Sequence, residues 1–426
     1  MQNPFVFGRP VWPDEPFCDR EKEIKDWAAR MENGEPVVIM SPRRYGKTSI
    51  MRRVEASFAQ KRYAHIWIDL MKCASIKDFI RVLHLETEKN YSLAKKFFEK
   101  GKRSVRSANR LRPGATFSPA DGGAMSLSLA ISDGLRDWPT LLEDALNRLL
   151  ALDKTFDRIA VFFDEFQDVR RISKSLDDEL ALERVMRSVL QYRSAKVSLA
   201  FMGSMRHLLQ NIFLDEAAPF YRSSSLLELG PLPLEPYEEF INGHFGFKDA
   251  EDRLIPWVIW KFFDAHPHAV IKTASFLWSR AHRKHFKSNE VRIDAVADCI
   301  ADVLTGEIEF YLERNRRLSP QAILFLREVA HHHGSLVSPY GKEVQKATGL
   351  SVKEIQNLLP GLQENGHIRV RQIFPQEGKA SRLEIAFGDP LEKVVYALSY
   401  RTEPEVQVIV RQTVEHLWRE KKEDHG

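Results

Sequence analysis

The run Ser41-Pro42-Arg43-Arg44-Tyr45-Gly46-Lys47-Thr48-Ser49 combines a tight-turn glycine, a lysine and hydroxyls in the order that phosphate binding requires. Backbone N–H groups of such a turn wrap a phosphate, and Gly46 leaves the chain bare where a Cβ would not fit. Lys47 can reach the β- and γ-phosphates, and the Thr48 hydroxyl can meet Mg²⁺. Ser41 stands where this motif has its first glycine. Further on, Ile159-Ala-Val-Phe-Phe-Asp164-Glu165 is an apolar run ending in two carboxylates. Asp164 suits a metal held through water, and Glu165 suits polarisation of an attacking water. An Asp-Glu pair at a strand end is common on protein surfaces, so its weight comes from its partnership with the loop. Together they point to ATP and Mg²⁺ as cofactors and to ATP hydrolysis.

Those groups need a rigid frame. Residues 36–41, 64–70, 158–163 and 197–202 are short apolar runs rich in β-branched and aromatic residues, with helical stretches at 138–152 and 179–194 between them. Continuous apolar strands alternating with helices predict a parallel sheet covered on both faces, an α/β P-loop NTPase. The predicted organisation is an ATPase core over 1–234, a helical lid over 235–316, a winged-helix domain over 317–400 and a charged helical tail over 401–426. An insertion at about 76–134 interrupts the core, with a basic helix followed by a Pro/Gly-punctuated hairpin.

Two regions bear on partners. Residues 95–112 hold eight basic residues (Lys95, Lys96, Lys100, Lys102, Arg103, Arg106, Arg110 and Arg112) against the single acid Glu99. Such a density can neutralise several nucleic-acid phosphates, although a solvated helix face has the same composition. Beyond residue 320, a short helix, a Gly349 turn and a Ser351-capped second helix precede two alternating strands at 367–373 and 381–387, the order of a winged helix. Lys353, Gln356 and Asn357 would then face a groove, with Arg369, Arg371, Lys379 and Arg382 near a DNA backbone. Glu354 and Glu364 make this helix nearly neutral, so a protein partner stays open beside DNA. His331-His332-His333 closes a helix, where positive charge is favoured by the dipole, and is not read as a metal site.

The balance of 63 Lys+Arg against 59 Asp+Glu leaves +4, so no nucleic-acid argument rests on total charge. With 43% hydrophobic and 29% charged residues, wholesale disorder and fibrous repeats are excluded. Cys18, Cys73 and Cys299 are too scattered for a disulfide framework or zinc cluster, and a reducing compartment is expected. No apolar stretch long enough to cross a membrane is apparent, so a cytoplasmic location is expected.

The sequence resembles the archaeal-type ATPase family, related to the STAND and AAA+ ATPases. The resemblance runs through Arg20-Glu21-Lys22-Glu23-Ile24, the Pro42–Ser49 loop, Phe163-Asp164-Glu165-Phe166-Gln167, Gly203-Ser204, Pro219-Phe220-Tyr221-Arg222 and Leu229-Gly230-Pro231-Leu232. It implies an AAA+-like core, a helical lid, a C-terminal winged helix and possible assembly into an oligomer. By the same resemblance Ser204 would sense the γ-phosphate and Arg222 would contact phosphates of its own or a neighbouring subunit's nucleotide. Arg20 would border the adenine. A helix N-cap at Ser204 and surface ion pairs at Arg222 and Arg20 are the alternatives. Asp19 replaces a family glycine, and Ala265-His266-Pro267 stands where the family has Gly-x-Pro.

Overall fold

The computed structural model describes residues 2–58, 63–105, 137–174, 176, 178–247, 249–283, 293–332, 334–373, 382–398 and 401–423, without side chains for 94–105. The hairpin expected at 112–134 and Arg106, Arg110, Arg112, His333 and Lys379 lie outside the described residues. Lys95, Lys96, Lys100, Lys102 and Arg103 fall on a described helix whose side chains are not described there.

The first unit is built on parallel strands β1 (Val37–Met40), β2 (Tyr63–Asp69), β3 (Arg158–Asp164), β4 (Val197–Gly203) and β5 (Ser225–Glu228), paired in the order β2-β3-β4-β1-β5. Strand β4 is buried along its length and β3 at all but its end residues, because helices cover both faces. On one face α1 (Glu21–Glu32) and α2 (Lys47–Ser57) bring Trp27, Ile50 and Val54 onto Val37, Ile39 and Phe162. On the other, α3 (Ile76–Val105), α4 (Trp138–Leu150), α5 (Asp168–Ser173), α6 (Ala181–Leu190) and α7 (Arg206–Phe213) cover Val38, Val161, Phe163 and Phe201. The period-2 alternation of strand side chains produces this division. Strand β5 is short and half-exposed, with pattern Ser-Leu-Leu-Glu, which hides it from an apolar-run criterion.

The helical unit comprises α8 (Leu234–Phe245), α9 (Ile255–Phe262), α10 (Pro267–Arg283) and α11 (Ile293–Asn315). The third unit runs α12 (Pro320–His331), β6 (Ser335–Val337), α13 (Lys342–Thr348), α14 (Val352–Glu364), β7 (Ile368–Ile373) and β8 (Arg382–Phe387). Its antiparallel sheet pairs in the order β6-β8-β7. Ser351 caps α14 in a full capping box with Glu354. Two helices follow, α15 (Pro390–Leu398) and α16 (Glu403–Glu423). The charged tail expected at 401–426 packs back on the helical unit: Val406, Val410, Val414 and Leu417 form a buried stripe in the same core as Val258 and Ile300. That i, i+4 spacing is an amphipathic face the charge run conceals.

Candidate functional site

Strand β1 delivers the phosphate-binding turn directly into α2. Gly46 precedes the helix with φ 87°, and Arg44 is also left-handed at φ 66°, so the turn curls back on itself. Lys47 is buried, and its Nζ donates to the carbonyls of Ser41 at 3.1 Å and Pro42 at 3.2 Å. Burial pulls the Lys47 pKa down, opposed by the charges of Glu165 and Asp164. Those carboxylates sit at the end of β3, and they line one cavity of about 400 Å³ together with Arg43, Arg44, Tyr45, Gly46, Lys47, Thr48 and Ser49. Ser41 is buried and does not line this cavity, and Pro42 lines the cleft beside it.

The two acids have different environments. Burial, reinforced by Glu165, pushes the Asp164 carboxyl up to about 6. Burial also acts on Glu165, but hydrogen bonds from Gln167 and Ser204 and the Lys47 charge outweigh it and hold the pKa below the usual carboxylate value. Glu165 Oε2 accepts from Gln167 Nε2 at 2.6 Å, from Ser204 Oγ at 2.9 Å and from the Ser204 N–H at 3.1 Å. Its own backbone is left-handed at φ 48°, a strained conformation that turns the chain sharply after the strand. Thr48 and Asp164 offer hydroxyl and carboxylate oxygens on the same cavity, a hard donor set that fits Mg²⁺ with waters completing its shell. Among the described residues no cluster of His, Cys, Asp and Glu forms a protein-only metal cage.

Part of the cavity wall away from the two carboxylates is a segment that sequence reasoning missed. Residues 4–11 and 16–18 line it, strapped across both units. Asn3 donates to Ser275 O at 3.0 Å, and Phe5 packs between Phe240 and Trp278 of the helical unit. The Val11 N–H donates to Ser49 Oγ at 3.0 Å, and Arg53 donates to the carbonyls of Trp12, Pro13 and Glu15. Its aromatic and proline content was the available signal. Pro267, His268 and Ile271 of α10 line the same cavity.

Arg20 lines this cavity too, but its guanidinium is committed to Glu23 at 2.8 Å and the Gly230 carbonyl. Asp19 and Arg20 both have positive φ, at 62° and 82°. The family glycine replaced by Asp19 thus marks a left-handed backbone that this chain keeps. Likewise Ala265 is left-handed at φ 57° where the family has glycine. Arg222 lies apart: it is exposed, its guanidinium rests over the Tyr221 ring, and it lines neither the nucleotide cavity nor the cleft beside it.

The loop is tied to the other units. Arg44 Nη1 meets buried Glu307 of α11 at 2.6 Å, and Glu307 also accepts from Lys272 Nζ at 2.9 Å and faces His268 at 3.5 Å. Tyr45 packs edge-on against fully buried His266, whose Nε2 lies 3.3 Å from Asp389 just before α15. Lys353 on α14 and Arg371 on β7 are exposed. Arg369 is half-buried, lines the cleft beside the nucleotide cavity and donates to the Gly388 carbonyl at 2.9 Å.

Residues 17–273 match an ATPase domain found predominantly in Archaea. The fold is similar to a Walker-type ATPase of Pyrococcus abyssi, with TM-score 0.61 and 18% identity over 93% of this chain and 100% of that one. It is also similar to the ORC2 protein of Aeropyrum pernix in its ADPNP–ADP complexes, with TM-score 0.51 and 11% identity over 99% and 98% of the two chains. No curated protein matches the chain. Among the described residues no helix is long and apolar enough to cross a membrane.

Proposed function

The chain belongs to the family of ATPase domains predominantly from Archaea, and from that premise we propose that it is a nucleotide-driven switch that binds Mg-ATP, hydrolyses it and acts on DNA. The observation that carries the reading is the single cavity shared by Lys47, Thr48, Asp164 and Glu165. In it Ser41–Ser49 cradle the phosphates, Lys47 neutralises them and Glu165 is the base for the attacking water. Magnesium held by Thr48 and Asp164 would supply charge neutralisation between the β- and γ-phosphates. The strap and α10 enclose the base, with Arg20 bracing the wall. Lys47→Ala and Glu165→Gln test the assignment: both must abolish turnover, while only the first abolishes ATP binding. Unchanged turnover in either sinks it.

The nucleotide state would reach the rest of the molecule through Arg44–Glu307 and Tyr45–His266–Asp389, which supports a division into ATPase core, helical lid and winged-helix unit. DNA would be held by the basic residues Lys95, Lys96, Lys102, Arg103 and Arg106 and by Lys353 and Arg371. Exposed Arg222 suits a neighbour's nucleotide in an oligomer better than its own. Salt-dependent DNA retention, abolished by charge reversal at Lys102, Arg103 and Arg106, is the expected behaviour.

A second reading is favoured by the three donors on Glu165. With its carboxylate engaged, hydrolysis is slow, and the protein is a nucleotide-gated scaffold whose winged helix binds a protein. Absence of DNA retention at low salt, with ATP bound and turning over slowly, would select it.

A further inference from the structure

A second cleft, of about 820 Å³ against about 400 Å³ for the nucleotide cavity, shares the Arg43–Arg44 turn with it as a common wall. Its other walls are Ser204–His207 after β4, Phe310 and Arg314 of α11, and Ile368–Arg371 of β7.

The cleft has an excess of positive charge. Arg206 pairs with Glu228 at 2.5 Å, Arg314 with Glu392 at 3.3 Å and Arg44 with Glu307. Among the described residues no carboxylate pairs with Arg43, Arg369 or Arg371. Asp168 pairs with Arg171 at 3.0 Å, while Asp389, which accepts from the Tyr311 hydroxyl at 2.5 Å, and Glu384, opposite Arg371 in the sheet and accepting from the Ser335 hydroxyl at 2.5 Å, offset part of the positive charge. Arg369 is partly buried, and burial, with Arg371 and Arg206 alongside, outweighs the opposing Tyr45 and Asp389 and pulls its pKa below the ordinary value.

A partly buried guanidinium such as that of Arg369 is costly unless an anion joins it, exposed Arg43 and Arg371 are within the same cleft to share that anion, and their planar forks match phosphate oxygens. Arg369 and Arg371 are two apart on one strand, so they share a face at roughly 7 Å spacing. Beside them Phe310 is 44% exposed, with Arg44 over its ring at 4.9 Å. Arginines flanking an exposed aromatic are what a nucleotide unit requires, phosphate on the charges and base on the ring.

We infer that this cleft is a second binding site for a nucleoside phosphate, held by Arg43, Arg369 and Arg371 and stacked on Phe310. The unit can come from single-stranded nucleic acid or from a free mononucleotide. The inference rests on the reading of the first cavity as the ATP site. Gln167 and Ser204, which hold Glu165, line the cleft, and Gln167 Oε1 is buried there without a hydrogen-bond partner. Occupancy would therefore bear directly on the residues that restrain Glu165.

The test uses the full chain carrying Lys47→Ala, Lys102→Glu and Arg103→Glu, which disables the first cavity and the basic helix. A short fluorescent oligothymidylate is titrated by anisotropy and adenosine monophosphate by calorimetry. Binding of at least one probe is expected, weakened about tenfold or more by Arg369→Gln and again by exposed Arg371→Gln or Phe310→Ala. Response to the oligonucleotide alone assigns a nucleic-acid strand, and response to the monophosphate assigns a free nucleotide. Thermal melting checks that Arg369→Gln folds, and the two surface variants carry the test if it does not. Binding of neither probe, or binding indifferent to Arg371 and Phe310, overturns the site. ATP turnover of the otherwise unaltered chain judges the first cavity separately, so the two failures are distinguishable.

Discussion

Ser204 donates twice to one carboxylate oxygen of Glu165, through its hydroxyl at 2.9 Å and its N–H at 3.1 Å. The residue expected to sense the γ-phosphate thus grips the residue expected to activate water. A carboxylate so engaged, with Gln167 as a further donor, is stabilised as an anion and is a weaker base than a free one. A ligand phosphate that competes for the Ser204 hydroxyl would loosen Glu165 as it binds, coupling occupancy to activation.

Ser204→Ala removes one of these donors while leaving the N–H. Basal ATP turnover without any partner is expected to rise several-fold, and the acid limb of the pH–rate profile should move upward because Glu165 loses a bond to its charged form. Steady-state kinetics across pH reads both effects. A drop in turnover with an unmoved acid limb would mean that the hydroxyl acts on the phosphate alone.

Gly203 explains itself beside this pair. A Cβ there would lie 2.0 Å from Gln167 Oε1, so the glycine makes room for the amide that reaches Glu165. Gly203→Ala should push Gln167 aside rather than break the strand, since a side-chain end is the obstacle. The expected result is a stability loss of about 1 kcal/mol or less with a turnover change like that of Gln167→Ala. Non-additivity in the Gly203→Ala, Gln167→Ala double variant checks the shared cause, and full additivity would refute it.

The α/β frame and the phosphate loop were legible because buried strands and tight turns leave local signatures: the β-branched run before Ser41, and Gly46 before Lys47. The strap over residues 4–18 was not, since its contacts to Ser275, Ser49 and Arg53 are distant in sequence and involve backbone groups any residue carries. The cleft that Arg369 lines was not legible for a related reason: strand alternation identifies which residues share a face but not which face turns toward another unit.

Asp164 carries a stability penalty that follows from its burial beside Glu165. Its carboxyl is raised to about 6, so the folded chain holds the proton more tightly than the unfolded one. The ionised form therefore destabilises the fold above that pH, and the penalty fades as pH falls through it toward the ordinary carboxylate value. Asp164→Asn should raise stability at pH 7.5 by on the order of 1–3 kcal/mol, with the gain vanishing by about pH 4. Magnesium-dependent nucleotide binding should be lost in the same variant. Thermal melts across pH, without nucleotide, give the comparison, and a pH-independent difference would show that the carboxyl titrates normally.

The link between the loop and α11 should be asymmetric. Glu307 is 3% exposed and serves Arg44, Lys272 and His268 at once. Burial pushes its carboxyl up, but His268, Lys272 and Arg44 outweigh that and hold it far below the usual range. Arg44→Gln leaves Glu307 two partners and removes a guanidinium that is partly exposed, so it should cost about 1 kcal/mol. Glu307→Gln instead strands the cations around a buried neutral group and should cost roughly 3–5 kcal/mol. Because Arg44 lies in the turn that lines the cavity, both variants should also weaken nucleotide binding, Glu307→Gln through the placement of Arg44 and the helical unit. Melting temperatures and fluorescent-nucleotide titrations of the two variants check this order. Equal losses of stability would mean that Arg44 is the sole partner that matters to Glu307.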